Sequence, residues 1–198
     1  MRVPARRLVL ASRNPGKIRE LQALLAEREI EVVGLDPSVP DVEETGSSFE
    51  ENALLKARAA CAATGLPALG EDSGLAVDAL GGEPGIHSAR WVAGSDADRM
   101  YALLERMAHL PDDQRSGRYV SVIAIVTPDG REELFRGELE GRIARAPRGS
   151  GGFGYDPVFE LPEGRTTAEI SMEEKNAISH RARALARCLE RLPHLLEG

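Results

Sequence analysis

YVSVIAIVT (Tyr119–Thr127) and ELFRGELEGRI (Glu133–Ile143) flank Pro128-Asp129-Gly130, and the reading of that stretch decides the fold class. Both runs alternate across a pleat, and an Asp-Gly pair between two such runs is a hairpin signal. An antiparallel hairpin in mid-chain excludes a purely parallel, doubly wound sheet. Outward from it, helical and strand patterns interleave. Arg7–Ala11 (RLVLA) predicts a short strand, and Asn14-Pro15-Gly16 a turn opening a helix striped by Ile18, Leu21, Leu24 and Leu25. Ile30–Leu35 reads as a second strand and Asp36–Ser48 as loop. Ser47 or Ser48, with Glu50 or Glu51 three residues on, caps a helix through Phe49, Ala53, Ala57 and Ala60 that ends near Gly65. Pro67–Gly70 and Leu75–Ala79 are expected to be short strands on either side of a turn, Glu71-Asp72-Ser73-Gly74. A glycine-rich loop then runs to Gly85. Ser95–Leu110 predicts a helix with Met100, Leu103, Leu104 and Met107 inward. Pro147–Asp156 is glycine-rich loop. Ser171 with Glu174 forms a capping box opening one or two helices to about Leu192. The expectation is one α/β domain of two lobes, residues 1–198, with a mixed β-sheet flanked by helices. No GxGxxG follows a strand and no GxxxxGK[ST] is present, so neither dinucleotide-binding nor P-loop chemistry is indicated.

A chain of 198 residues, 42% apolar and 29% charged, buries a real core and is not disordered. It contains no run of 18 apolar residues, which predicts no membrane span. The N-terminal MRVPARRLVLASRN has basic residues and a short apolar stretch that reads as a strand rather than a signal peptide. Cys61 and Cys188 sit in helical patterns without metal or redox spacing, as in a reduced, cytoplasmic protein. The net charge of −7, with no basic stripe, argues against a nucleic acid polymer as partner. A small anion held by locally concentrated positive charge remains open. Such concentration has a signature. All but three of the 25 basic residues are Arg, and the lysines, Lys17, Lys56 and Lys175, fall beside the chain's only asparagines, Asn14, Asn52 and Asn176. A compact ammonium is needed where the planar fork of Arg does not substitute.

Four segments carry chemistry. Ser12-Arg13-Asn14-Pro15-Gly16-Lys17 is a strand-to-helix turn whose amides, polar side chains and first-turn lysine suit a triphosphate. Glu71-Asp72, supported by the acidic pair Glu43-Glu44, offers oxygen ligands for a hard cation such as Mg²⁺. In Gly149–Pro157, glycines leave backbone accessible and Phe153 and Tyr155 offer faces for a base to stack on. Asp156 is placed to accept from a base edge or to orient a neighbour. Lys175, Ser179, His180 and Arg181 form a polar helical segment suited to a purine and its phosphates. Each segment alone also fits an ordinary role: a capped helix, an Asx turn, a solvated acidic loop, a packed histidine.

Taken together the segments resemble a known family. Ser12, Asn14 and Lys17 in S-x-N-x-x-K, EETG–SFEENALLKA (Glu43–Ala57), EDSGLAVDALGGEPGIHSARW (Glu71–Trp91), GGFGYDPVF (Gly151–Phe159) and EEKNAISHR (Glu173–Arg181) occur in one order over nearly the whole chain. That order resembles the noncanonical purine NTP pyrophosphatases, the inosine/xanthosine triphosphate pyrophosphatase family. The resemblance implies a two-lobed α/β fold with a nucleotide cleft between lobes, Mg²⁺ dependence and a homodimer. It implies hydrolysis of dITP, ITP and XTP to the monophosphate and pyrophosphate. By motif, Ser12, Arg13, Asn14, Pro15, Gly16, Lys17 and Lys56 meet the phosphates. Asp72 binds metal and acts as general base with Ser73 beside the substrate, and Glu43 or Glu44 is a further metal ligand. Phe153, Gly154, Tyr155, Asp156, Lys175, His180 and Arg181 surround base and sugar. The family often has Asp where Glu71 stands and Tyr where His87 stands. Two other functions compete: a pyrophosphatase for pyrimidine or modified triphosphates, and a nucleotide-sensing module without hydrolysis. A substrate panel separates the first from the purine reading. Against the second stand the Glu71-Asp72 carboxylates, which serve a phosphate binder only with a metal between.

Overall fold

In the computed structural model, residues 6–25 and 30–196 are described; Met1–Ala5, part of the N-terminal stretch discussed above, lie outside them. Strand β1 (Arg6–Ala11) pairs in parallel with β2 (Ile30–Gly34) and with β3 (Ala68–Val77). Their connections are helix α1 (Pro15–Leu25) and helix α2 (Phe49–Thr64), as expected of parallel neighbours, which need a crossover. β4 (Ser116–Val126) and β5 (Glu132–Ile143) are consecutive, adjacent strands joined by a tight reversal in which Thr127 N donates to Arg131 O at 3.0 Å and Gly130 N to Thr127 O at 2.9 Å. Gly130 takes φ +88°, a backbone that favours glycine. β6 (Phe159–Glu160), absent from the sequence reading, adds antiparallel to β5. The order is β2-β1-β3-β4-β5-β6, a mixed sheet as the hairpin requires. β4 is buried almost throughout while β5 alternates, which is how central and half-covered strands differ. Helix α3 (Asp96–Arg106) opens on a Ser95 capping box. Helices α4 (Met172–Ile178) and α5 (His180–Leu196) are separated by the extended Ser179. No helix among the described residues is long and apolar enough to cross a membrane.

One expectation fails. Glu71-Asp72-Ser73-Gly74 is not a turn between two short strands but the middle of a single strand, β3. Isolated acids avoid such a position because burial of unpaired charge is costly. Here each acid has cationic partners from other elements, described below. At α2 both candidate caps are used. Ser48 Oγ accepts from Glu51 N at 3.1 Å, and Glu51 Oε2 accepts from Ser47 N at 2.6 Å. Gly65 closes the helix at φ +67°.

The chain divides into two compact units. The first holds the described residues up to Asp72, Ser121–Gly137 and those from Arg181 on. Its core packs Leu8, Leu10, Leu69, Ile123 and Ile125 of the strands against Leu21 and Leu25 of α1 and Leu185, Cys188 and Leu192 of α5. Within it α2 lies directly on β3: a Cβ on Gly70 would come within 2.2 Å of Ala53 O and 2.6 Å of Ala57 N. The second unit holds Ser73–Val120 and Glu138–His180. Its core joins Leu75 and Val77 to Met100 and Leu103 of α3, to Met107 just after it, and to Tyr119, Tyr155, Val158 and Phe159.

Candidate active site

Successive residues of a strand point to opposite faces, so neighbouring Glu71 and Asp72 meet different helices. Glu71, 1% exposed, faces α1 and α5. Its Oε2 lies 2.8 Å from Lys17 Nζ, and its Oε1 accepts from Ser121 Oγ at 2.9 Å and from Arg181 Nε at 3.2 Å. Arg181 Nη1 continues to Glu20, also buried. Burial pushes the Glu71 carboxyl up, but Lys17, Arg181 and Lys56 outweigh it and hold it well below the usual carboxylate range. Asp72 meets α2. Lys56 Nζ donates to Asp72 Oδ1 at 2.9 Å and to Glu71 O at 3.2 Å, and it pairs with Glu44. Asn52 Nδ2 donates to Asp72 Oδ2 at 3.3 Å, while its Oδ1 accepts from Gly46 N at 2.9 Å. Burial lifts the Asp72 carboxyl above its ordinary value despite Lys56 and Lys17, and adjacent Glu71 adds to the rise. Two chain neighbours thus diverge. Glu71 is a fixed anion, and Asp72 is a carboxylate of enhanced basicity, the division of labour that acid–base chemistry requires.

Which residues suit a metal follows from the same geometry. Glu44 and Asp72 already share one cation, the Lys56 ammonium, and Glu43 is exposed. Among the described residues no three His, Cys, Asp or Glu side chains gather as a metal-holding group. Two carboxylates with hard oxygen donors fit Mg²⁺, which takes one or two carboxylates and completes its shell with water and substrate phosphate.

The turn before α1 is more self-contained than its sequence suggests. Asn14 Oδ1 accepts from Gly16 N at 2.9 Å and from Lys17 N at 3.2 Å, capping the helix, and Ser12 Oγ accepts from Asn14 N at 3.3 Å. Those amides, expected to point at an anion, bond within the turn. Pro15 is exposed and Gly16 buried. Arg13 leans on the following loop, with Nη1 3.1 Å from Asp41 and Nη2 donating to Val39 O. The lysine of the turn is the residue that reaches the carboxylates.

In the second unit Asp156 is a buried hub. Its Oδ2 accepts from Lys175 Nζ at 2.6 Å and from Phe153 N at 2.8 Å. Its Oδ1 accepts from Thr167 Oγ1 at 2.8 Å and from Tyr119 OH at 3.3 Å. Gly152, at φ +72°, makes room: a Cβ there would lie 1.9 Å from Asp156 Oδ2. Lys175 Nζ sits 5.1 Å from the Phe153 ring centroid, over its face. The His180 ring stacks on Tyr119, with centroids 4.8 Å apart and planes 18° apart. Gly154 N donates to Asp96 Oδ2 at 2.9 Å, and Ser73 is half-buried in β3.

Two of the expected site residues are buried. Tyr155, read from the sequence as a face for a base, is 5% exposed beside the apolar core, and its OH donates to Ser88 O at 3.0 Å. Burial pushes that phenol up to about 12. Phe153, half-buried, is the aromatic of the pair with an accessible face. Arg181, read from the sequence as beside base and sugar, is 1% exposed, and its guanidinium meets Glu71 and Glu20. The remaining residues form two coherent groups. Lys17, Glu44, Lys56 and Asp72 meet in the first unit, and Phe153, Asp156 and Lys175 in the second, where His180 stacks on Tyr119. Sequence reasoning assigned no role to Glu20, Asn52, Ser121, Tyr119 or Thr167. Faint signals existed for two: Asn52 shares a helix face with Lys56, and Ser121 interrupts the run from Val120 to Val126.

Residues 8–191 match the model of the Ham1 family. The chain is similar to the dITP/XTP pyrophosphatase of Symbiobacterium thermophilum, 71% identical over 192 residues that cover 97% of this chain and 98% of the relative. It is 52% identical to the dITP/XTP pyrophosphatase of Streptomyces coelicolor over 90% of this chain and 92% of that one. Among solved structures it is similar to a HAM1 protein from Coxiella burnetii, with a TM-score of 0.87, 45% identity, and coverage of 95% and 98%.

Proposed function

We propose, because this chain belongs to the Ham1 family, that it hydrolyses dITP, ITP and XTP to the monophosphate and pyrophosphate and so clears deaminated purines from the nucleotide pool. The observation that carries the mechanism is the geometry of two lysines on neighbouring acids: Lys17 on Glu71, and Lys56 on Asp72 and Glu44. Cleavage of a phosphoanhydride is mostly positioning and charge neutralisation. Lys17 and Lys56 supply positive charge for the phosphate oxygens, with Glu71 holding the Lys17 ammonium in place. Asp72, held by Lys56 and Asn52, takes the proton of the water that attacks the α-phosphorus, and pyrophosphate leaves. A general base in that position contributes about 10²- to 10⁴-fold. Glu44 and Asp72 are the residues that would hold Mg²⁺, which when bound neutralises phosphate charge and lowers the pKa of coordinated water.

To the second unit we assign recognition of the base. A 6-keto purine accepts a hydrogen bond where adenine donates one, so a donor such as His180 or Lys175 is satisfied by inosine or xanthine and left unpaired by adenine. Unpaired buried polar groups are costly, which makes this a strong form of selection. A homodimer acting in the cytoplasm completes the proposal; both rest on the family resemblance, and sedimentation tests the first. The decisive experiment is pyrophosphate release from a panel of triphosphates with Mg²⁺ present and after chelation. Turnover of ITP, dITP and XTP well above ATP, UTP and dTTP is expected, with loss on chelation. Equal turnover of UTP or dTTP and ITP would overturn the purine assignment.

A further inference from the structure

We propose that Tyr119 is a positioning residue that sets two base-reading groups at once: Lys175, through the Asp156 carboxylate, and His180, by ring stacking. The inference rests on the reading above that Lys175 and His180 meet the base. Asp156 is 2% exposed and holds two donors on each oxygen. One side, Oδ2, carries Lys175 and the Phe153 amide. The other, Oδ1, is gripped by Tyr119 OH and Thr167 Oγ1. A carboxylate bonded on both oxygens does not rotate, so the neutral donors on Oδ1 fix the direction in which Oδ2 presents itself to the ammonium. A lysine side chain has large rotamer freedom of its own, and the oriented carboxylate is what confines it.

The same phenol ring has a second contact. One ring neighbour is Phe159, at 4.3 Å, and the other is the nearly parallel His180 ring at 4.8 Å. His180 begins α5 directly after the extended Ser179, so no preceding helical turn of α5 limits its imidazole. The face of Tyr119, itself 7% exposed on the buried strand β4, supplies the flat surface that does. Tyr119 thereby links Lys175 of α4, through Asp156, to His180 at the start of α5. Neither Lys175 nor His180 is assigned to the phosphorus chemistry, so loss of Tyr119 acts on substrate affinity and base discrimination.

The test is a double-mutant cycle on the full chain with ITP and ATP as substrates. Tyr119→Phe removes the hydroxyl and keeps the ring. It is expected to raise KM for ITP about tenfold, the scale of one hydrogen bond to a charged acceptor, with kcat within about twofold of wild type. Tyr119→Leu removes the stack as well and is expected to cost about threefold more in the preference for ITP over ATP. In the Lys175→Met background, Tyr119→Phe is expected to change KM less than about twofold, because groups that act through one another do not add. An equal effect of Tyr119→Phe in both backgrounds overturns the proposal. So does a lowered unfolding midpoint with KM unmoved, the mark of a purely structural residue. If Lys175→Met alone leaves KM for ITP at the wild-type value, it is the assignment of Lys175 to the base that fails, and this proposal falls with it. Should Tyr119→Leu not fold, the His180 ring-proton shifts report the stack in Tyr119→Phe. They are expected to stay at their wild-type positions, and their movement to solvent-like values overturns the stacking half.

Discussion

Both units bury a carboxylate against a lysine, but they do so with different company. Around Glu71 and Asp72 the neighbours are themselves charged: Lys17, Lys56 and Arg181 against Glu20 and Glu44. Around Asp156, among the described residues, the charged partner in its hydrogen-bonding shell is Lys175, joined by a phenol, a hydroxyl and an amide. In the first setting the cations hold Glu71 low, while burial lifts Asp72 against the pull of Lys56 and Lys17. In the second, neutral donors fix geometry and leave the net charge near zero. A site for polyanions needs the former, and a site that tells one base edge from another needs the latter.

That contrast can be broken in four places. Asp72→Asn should lower kcat for pyrophosphate release about a thousandfold while leaving the unfolding midpoint nearly unchanged; a fully active variant removes the first unit's claim to the chemistry. Arg181→Leu removes the buried cation shared by Glu71 and Glu20 and should cost about 3–5 kcal/mol in denaturant unfolding. If it costs under about 1 kcal/mol, the buried network is not what the fold rests on there. Gly152→Ala forces a methyl onto Asp156 Oδ2 at positive φ and should cost about 1–3 kcal/mol. It should also raise KM for ITP more than it lowers kcat; the reverse pattern would erase the distinction between the units.

The smallest effect lies in the pH dependence of stability. Native Glu71 stays ionised where the unfolded chain, with a carboxyl near its ordinary 4.5, takes up a proton. Its contribution is therefore complete above that value and is lost as the pH falls, a decline expected from about pH 5 downward. Asp72 works in the opposite sense. Its native carboxyl binds a proton more readily than the unfolded chain does, so its contribution is present in acid and lost as the pH rises through its elevated native value. Denaturant titrations at several pH values should give a shallower acid decline for Glu71→Gln and a steeper one for Asp72→Asn.

Helix caps, the hairpin and the apolar stripes were legible in the sequence because each depends on residues a few positions apart. Ser171 with Glu174, Ser47 and Ser48 before Phe49, and the Gly65 stop follow from local chemistry. The strand through Glu71 and Asp72 was not legible, since local propensity for an acidic, glycine-containing stretch favours a turn. What overrides it comes from far along the chain: Arg181 lies 110 residues from Glu71 and 161 from Glu20. The same cause explains Arg181 itself. Beside His180 in sequence it reads as a second recognition donor, and its guanidinium ends on buried Glu71 and Glu20. Lys17, Lys56 and Lys175 were marked by rarity alone, and all three end on carboxylates. Their partners were partly visible, Asp72 and Asp156 as candidates, Glu20 not at all.

Gly70 gives the reach of Lys56 an unusual insurance. With main chain resting on main chain between β3 and α2, the spacing from helix axis to strand is dictated by atoms every amino acid has in common. Sequence drift on the outer side of the helix cannot alter it. The cost of that arrangement is concentration of risk at a single position, where the smallest side chain would lever the helix outward and carry the ammonium away from Asp72.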